Sequence, residues 1–122
     1  PEAWNETFKR DFGIVPENDA EGCMQDIHWS AGLLGYFPTY ALGNIYAAQF
    51  YAAARDELGD FEAGFTTGEF SELRNWLTRN IHRRGRQFPA VRLVEVVTGE
   101  TPSPQPLVKH LCERFRPLYG LD

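Results

Sequence analysis

The chain has 122 residues, 43% of them hydrophobic and 14% aromatic, which is enough for one domain with a packed core. Its 17 acidic and 12 basic residues give a formal net charge of -5, which disfavours binding to a phosphate backbone. The chain contains no apolar run of about 18 residues and does not open with a secretory-signal pattern. We therefore expect a soluble, cytoplasmic protein that binds neither nucleic acid nor membrane.

The two cysteines, Cys23 and Cys112, lie far apart in the sequence and form no Cys-x-x-Cys pair. Neither a disulfide framework nor a zinc site built on thiolates is indicated. The sequence predicts two buried thiols.

Hydrophobic periodicity predicts a mainly α-helical chain without internal repeats. Helices are expected over 1–13, 38–58, 69–82, 89–98 and from a capping Ser103 to Leu118, with a loop over 14–21 and irregular structure over 22–40. The valines of 89–98 leave a strand as an alternative there. The segment 38–58 is apolar nearly all round, which is typical of a helix buried among others, and Gly43 would allow close packing.

The stretch from Gly22 to Tyr40 carries the densest chemistry in the sequence. It contains a carboxamide, a carboxylate, an imidazole, an indole and two phenols, on Gln25, Asp26, His28, Trp29, Tyr36 and Tyr40. Imidazole and phenol groups are suitable donors to a carbonyl oxygen that becomes negative during acyl transfer. Asp26 is close enough in sequence to orient or charge the imidazole. Tyr36 and Tyr40 are four residues apart at the start of a helix and would project to one side.

Each of these residues also has a purely structural interpretation. A histidine beside a tryptophan on a loop is commonly a hydrogen-bonded structural residue. A tyrosine at helical spacing usually belongs to the core, with its hydroxyl paired, and Asp26 could simply cap a turn. From the residue types alone, both interpretations remain open.

The spacing Gly22-x-x-Gln25-Asp26-x-His28-Trp29 resembles a signature of the thermostable, Taq-type family of zinc metallocarboxypeptidases. Further similarities follow it along the chain, in Gly35-Tyr-Phe-Pro-Thr-Tyr-x-Leu-Gly43, Asn80-Ile-His82 with Gly85, Thr98-Gly-Glu100 and Leu118-Tyr-Gly-Leu121. The resemblance extends from Pro1 to the last residues. Leu33-Leu34 departs from it where an aromatic residue is expected, and Arg92 lies in a stretch that often carries an acidic residue.

The resemblance implies a mostly helical, zincin-type and often homodimeric enzyme of roughly 500 residues that removes C-terminal residues from peptides. In that family a His-Glu-x-x-His helix and a further Glu hold zinc, or cobalt in its place, and activate a bound water. None of His28, His82 and His110 belongs to such a motif, so no metal ligand is expected in this chain. Because Pro1 stands where an initiator methionine is expected, we interpret 1–122 as a fragment. The resemblance implies that it is a single C-terminal fragment that carries one wall of the active-site groove, lacks the zinc helix and is inactive alone.

The same resemblance, extended to helical peptidases similar to angiotensin-converting enzyme, implies roles for individual residues. His28 would bind the peptide carbonyl, and Tyr36 or Tyr40 would stabilise the tetrahedral oxyanion. Gln25, Asp26 and Trp29 would belong to the substrate-binding site, the first two as positioning groups and Trp29 as packing support. The expected partners are peptides with a free C-terminus, the remainder of the parent chain and a second copy.

Several arginines cluster in the second half of the chain, at positions 79, 83, 84, 86 and 92. They are expected to form a solvated or ion-paired surface. Alternatively, one of them receives a peptide carboxylate through a bidentate contact. The sequence does not indicate which arginine that would be.

Two other functions compete with the carboxypeptidase interpretation. The chain could be a stand-alone peptide-binding or interaction module that keeps the wall of a groove without the metal. It could also be a helical structural domain, although the eight-residue signature would then be accidental. If the chain is a fragment, Tyr46, Phe50, Tyr51 and Trp76 are expected to have lost packing partners, leaving apolar surface exposed.

Overall fold

The computed structural model describes residues 1–121, in which helices are joined by short turns. Six α-helices follow one another along the chain: α1 Glu2–Phe12, α2 Ile27–Ser30, α3 Pro38–Leu58, α4 Ser71–Asn80, α5 Ala90–Thr98 and α6 Gln105–Tyr119. Three 3-10 segments lie between them, at Cys23–Gln25, Phe61–Thr67 and His82–Arg84. No strand occurs in the described part, so the mainly α prediction is confirmed and the strand alternative at 89–98 is wrong.

The chain divides into two units, one over Pro1–Thr39 and one that begins at Tyr40. In the first unit, α1 presents aromatic rings at intervals of four residues. Trp4 stacks on Phe8 with ring centroids 6.1 Å apart, and Phe8 lies 4.7 Å from Phe12. Gly13 ends the helix in the left-handed conformation and donates its N–H to the Lys9 carbonyl. The predicted first helix is confirmed.

The core of the second unit forms where α3, the Phe61–Thr67 segment and α4 meet. Ala54, Phe61 and Trp76 are buried there. Partly buried side chains surround them, from Phe50, Tyr51, Ala53, Leu58, Phe65, Leu73, Leu77, Ile81 and Val97. Trp76 is 1% exposed, so it packs within this chain, contrary to the expectation that it lacks its partners. Its indole N–H donates to Glu57 Oε2 at 2.7 Å, and Arg79 donates to the other oxygen of that carboxylate at 2.7 Å.

A buried amide fixes the proline-rich connection between α5 and α6. Gln49 on α3 is 3% exposed. Its Nε2 donates to the Thr101 carbonyl at 3.0 Å, and its Oε1 accepts the Ser103 N–H at 3.0 Å. The Ser103 hydroxyl in turn accepts the Gln105 N–H at 3.2 Å. A cap at Ser103 would start α6 at Pro104, whereas the helix begins at Gln105. A single side chain of α3 therefore determines the path of the chain into the last helix.

Most of α3 is less buried than its composition predicts. Only Gln49 and Ala54 are buried along its 21 residues. A side chain at Gly43 would meet nothing within 4 Å in the described structure, so no close packing occurs there. Of the two cysteines, Cys23 is buried and Cys112 is only partly covered. Within residues 1–121, no helix is both long enough and apolar enough to span a membrane.

Large apolar side chains remain at the surface in both units. Leu34 is 76% exposed and Ile27 72% in the first unit, and Tyr119 is 72% exposed in the second. Apolar surface is thus exposed as expected, but not at the residues expected to provide it. Trp76 is buried, Phe50 and Tyr51 pack partly buried against the core, and Tyr46 is partly buried.

Candidate functional site

The short helix α2 is built around Asp26 and His28. Asp26 has extended backbone dihedral angles and caps α2, because its Oδ1 accepts the His28 backbone N–H at 2.9 Å. The same oxygen lies 2.7 Å from Nδ1 of the His28 ring. Both interpretations of Asp26 from the sequence, as a cap and as the partner of the imidazole, hold at once.

This pair is well shielded from solvent. The side chains of His28 and Asp26 are 17% and 13% exposed. A carboxylate can only accept hydrogen bonds, so Nδ1 must carry the proton in this contact. The ring orientation and the tautomer of His28 are thereby fixed by one residue two positions earlier.

Aromatic rings pack beside the imidazole of His28. The Tyr36 ring centroid lies 5.3 Å from it with the planes tilted by 40°, and the Phe37 ring lies 5.6 Å away with a tilt of 33°. The structure thus brings together His28, Asp26 and Tyr36, three of the residues predicted from the sequence. Phe37 was not among the predicted site residues, although its place beside Tyr36 in an aromatic stretch was a usable signal.

Gln25 points back toward the preceding loop. It ends the Cys23–Gln25 segment, and its side-chain amide donates to the Ala20 carbonyl. The amide therefore holds the loop that leads into Asp26. The structure gives Gln25 a role in shaping the backbone before the site.

Trp29 faces α1 and lines an apolar groove within the first unit. Its ring meets that of Trp4 edge-on, with centroids 6.0 Å apart and planes at 80°. The groove has a volume of about 540 Å³ and is lined by Ala3, Trp4, Thr7, Phe8, Phe12, Trp29 and Phe37. Trp29 thus packs against α1. Its support of a substrate site stays a prediction. The spacing of the sequence predicts the aromatic face of α1 but not its contact with Trp29.

Tyr40 is in the first turn of α3 and belongs to the second unit. Its side chain is 51% exposed. Tyr36 precedes the helix, and its carbonyl accepts both the backbone N–H and the hydroxyl of Thr39, at 3.0 and 2.7 Å. This turn leads the chain from Tyr36 into α3.

The clustered arginines fall into two groups. Arg79 pairs with Glu57 and Arg92 with Glu95, each at 2.7 Å, as expected for an ion-paired surface. Arg83, Arg84 and Arg86 form no ion pair with any carboxylate of residues 1–121. Nor do any three His, Cys, Asp or Glu side chains in that range lie together as a metal site would require.

The sequence and the fold both match a family of known enzymes. The model of the carboxypeptidase Taq (M32) metallopeptidase family matches residues 1–115. The chain therefore belongs to this metallopeptidase family, as the signature around His28 predicted.

Individual relatives agree with this assignment. The chain is 48% identical over 120 residues to thermostable carboxypeptidase 1 of Thermus thermophilus, covering 98% of this chain and 24% of that protein. It is 38% identical over 121 residues to carboxypeptidase 1 of Bacillus subtilis, covering 99% of this chain and 24% of that protein. The crystal structure of the M32 carboxypeptidase from Deinococcus radiodurans R1 superimposes with a TM-score of 0.91 at 37% identity, over 98% of this chain and 24% of that one. The chain thus spans about a quarter of the length of these relatives.

Proposed function

We propose that this chain works as the C-terminal part of a longer metallocarboxypeptidase that removes C-terminal residues from peptides. The observation that carries the proposal is the Asp26–His28 pair, which lies inside the family signature in a chain that matches the family model over residues 1–115. A shielded imidazole with a fixed tautomer is suited to act on a substrate group, because its orientation costs nothing further when the substrate binds.

In this proposal His28 forms a hydrogen bond to the carbonyl of the peptide bond. Nδ1 faces Asp26, and in the proposal the other ring nitrogen, Nε2, meets the substrate. When the ring is protonated both nitrogens donate, and Nε2 can then bind a carbonyl oxygen. Tyr36 or Tyr40 donates its hydroxyl to the oxyanion that forms as the carbonyl becomes tetrahedral.

The other predicted residues act through the shape of the site. Asp26 and Gln25 are positioning residues, since their side chains bind His28 and Ala20 within this chain. Trp29 is 46% exposed and lines the apolar groove, where it can offer an apolar surface to a peptide side chain. None of these three needs to take part in the chemical step.

The metal implied by the family does not fit this chain, because residues 1–121 contain no suitable group of ligands. We propose that residues elsewhere in the longer protein hold it, and that it is zinc or cobalt. We further propose that the enzyme is a cytoplasmic homodimer. The exposed apolar side chains of both units, such as Leu34 and Tyr119, support association with the rest of the protein and with a second copy.

A chimera tests the proposal directly. The 120 matching residues of the Thermus carboxypeptidase are replaced by this chain, and turnover of a blocked dipeptide is measured with added zinc. We expect an active chimera. We also expect the His28→Ala and Tyr40→Phe chimeras to lose about 100-fold or more in kcat, as in sites that lose one oxyanion donor.

His110→Ala is the matched control, since this histidine is exposed on α6 and should leave turnover unchanged. Circular dichroism and gel filtration of each chimera separate a misfolded protein from an inactive one. An active chimera that is unaffected by His28→Ala would disprove the role of His28. A correctly folded chimera without activity would show that this chain does not supply the missing quarter of the enzyme.

A further inference from the structure

The positive charges of this acidic chain are concentrated in one region. Half of its 12 basic side chains lie between Arg74 and Arg92, and no acidic residue occurs from 73 to 94. At the centre of this region, residues 82–86 form what we call the basic turn, with the sequence His-Arg-Arg-Gly-Arg. Such a turn differs from the alternating charges of an ordinary solvated surface.

The basic turn lacks carboxylate partners. The arginines on either side of it are paired, Arg79 with Glu57 and Arg92 with Glu95. Within residues 1–121, Arg83, Arg84 and Arg86 have no carboxylate oxygen within 4.0 Å. Three permanent positive charges thus lie within four consecutive residues of a protein whose net charge is negative.

The turn is held in shape by hydrogen bonds. Arg84 donates its Nε to the Asn80 carbonyl at 2.7 Å, and its backbone N–H donates to the Ile81 carbonyl at 3.0 Å. Gly85 donates to the His82 carbonyl at 3.1 Å and has φ 54° and ψ -123°, a conformation that residues with a side chain rarely adopt. Arg84 is half-buried, so its guanidinium is oriented before any ligand arrives.

A second donor at the start of the turn has no partner. Nδ2 of Asn80 is buried and has no hydrogen-bond acceptor among the described residues. A buried amide without an acceptor costs about 1–3 kcal/mol, so an acceptor that Nδ2 reaches after a shift of its side chain would be favourable. This buried donor and the anchored Arg84 distinguish the turn from freely solvated arginines.

We infer that the basic turn, together with Asn80, is a binding site for a small oxyanion, either a carboxylate or a phosphate. The side chains of Asn80, Arg83, Arg84 and Arg86 offer at least a dozen N–H donors by their chemistry and only one acceptor oxygen. Carboxylate and phosphate oxygens only accept hydrogen bonds, and both match the planar fork of an arginine. The site does not depend on the peptidase function proposed above.

Titration followed by NMR tests this inference on the chain itself. ¹⁵N-labelled protein is titrated with inorganic phosphate in one series and with acetate in another, at constant ionic strength. The side-chain signals of Arg84 Nε and Asn80 Nδ2 are observed, and the dispersion of the backbone amides reports that the chain is folded. We expect saturable shifts at both groups with at least one of the two anions.

Variants identify the residues that bind. Arg84→Gln should weaken binding at least tenfold. The double variant Arg83→Gln/Arg86→Gln keeps the Arg84 anchor and should also weaken it at least tenfold. Arg114→Gln, an exposed arginine on α6 without an ion pair among residues 1–121, should leave binding unchanged.

The two series separate the sources of the ligand. Saturation with phosphate alone assigns the site to a phosphate group, and saturation with acetate alone assigns it to a carboxylate. Saturation with both shows a general oxyanion site. Linear, non-saturating shifts with both anions, or shifts that all the arginine variants retain, would overturn the inference.

Discussion

A single oxygen of Asp26 accepts two hydrogen bonds from His28, one from its backbone N–H at 2.9 Å and one from Nδ1 of its ring at 2.7 Å. The first bond caps helix α2, and the second fixes the imidazole. Backbone and side chain of His28 are thus held by the same atom. Removal of this oxygen therefore affects both the start of the helix and the ring.

The two functions of Asp26 can be separated by substitution. Asp26→Ser keeps a capping oxygen but is too short and uncharged to hold the ring in the same way. We expect the helical content to stay unchanged while the neutral imidazole moves away from the Nδ1–H tautomer. The ¹⁵N chemical shifts of the His28 ring, recorded at alkaline pH, measure this change. Asp19→Asn in the exposed loop is the control, and unchanged ring shifts in Asp26→Ser would contradict the prediction.

Gln49→Leu tests the buried amide that holds the proline-rich connection. The substitution leaves the Thr101 carbonyl and the Ser103 N–H without their partner. We expect the free energy of unfolding to fall by about 1–3 kcal/mol, since two partly buried hydrogen bonds are lost. Urea unfolding followed by circular dichroism measures this loss. Gln87→Leu, at an exposed position, should change the free energy of unfolding by less than about 0.5 kcal/mol. Equal losses at both positions would show that the hydrogen bonds of Gln49 do not stabilise the chain.

Glu57→Ala tests the hydrogen bond of the core tryptophan. Without the carboxylate, the buried indole N–H of Trp76 has no acceptor and Arg79 loses its ion pair. We expect the free energy of unfolding to fall by about 1–2 kcal/mol. This is less than the largest cost of leaving a buried donor unsatisfied, because Glu57 is itself half-exposed. The matched control is Glu113→Ala, which removes only the exposed contact with Lys109 at 3.8 Å and should cost about 0–1 kcal/mol. A smaller effect at Glu57 than at Glu113 would show that the indole does not depend on this bond.

The stability of the chain should depend on Glu69 in acid. Its pKa is lowered from the ordinary value of 4.5, first by its hydrogen bonds with Ser71, whose backbone N–H donates at 2.8 Å. A carboxylate whose pKa is lower in the folded chain stabilises it above the ordinary value, and this contribution is lost as the pH falls through the folded pKa. We expect Glu69→Gln to reduce the loss of thermal stability below about pH 4.5, measured as Tm against pH. Glu113→Gln serves as the comparison, and parallel curves for Glu69→Gln and the unsubstituted protein would contradict the expectation.

Local patterns in the sequence determine most of the helices. The spacing of Trp4, Phe8 and Phe12 predicts α1, and the glycine after each of α1 and α5 marks its end because glycine adopts the left-handed conformation easily. The range 69–82 divides into α4 and a 3-10 segment, since the chain tightens after Asn80 into the basic turn. Such a break depends on hydrogen bonds that periodicity does not describe.

The candidate site was predictable in its residues but not in their contacts. The residue types and the family signature identify His28, Asp26 and Tyr36, and the structure places them together. Periodicity could not show that Gln25 turns toward Ala20 or that Trp29 packs on Trp4, since those contacts join separate segments of the chain. The same limit applies to Trp76, whose burial depends on α3 and the Phe61–Thr67 segment.

By itself, the sequence determined the helical class, the family and the residues of the signature, because these follow from local spacing and residue type. Only the tertiary structure decided that Asp26 both caps α2 and binds the ring of His28. It also decided that Gln49 fixes the path to α6. Finally, it decided that Arg84 is anchored by a hydrogen bond while its neighbouring arginines lack carboxylate partners. These features depend on directed hydrogen bonds, whose energies require distances and angles that a linear pattern does not contain.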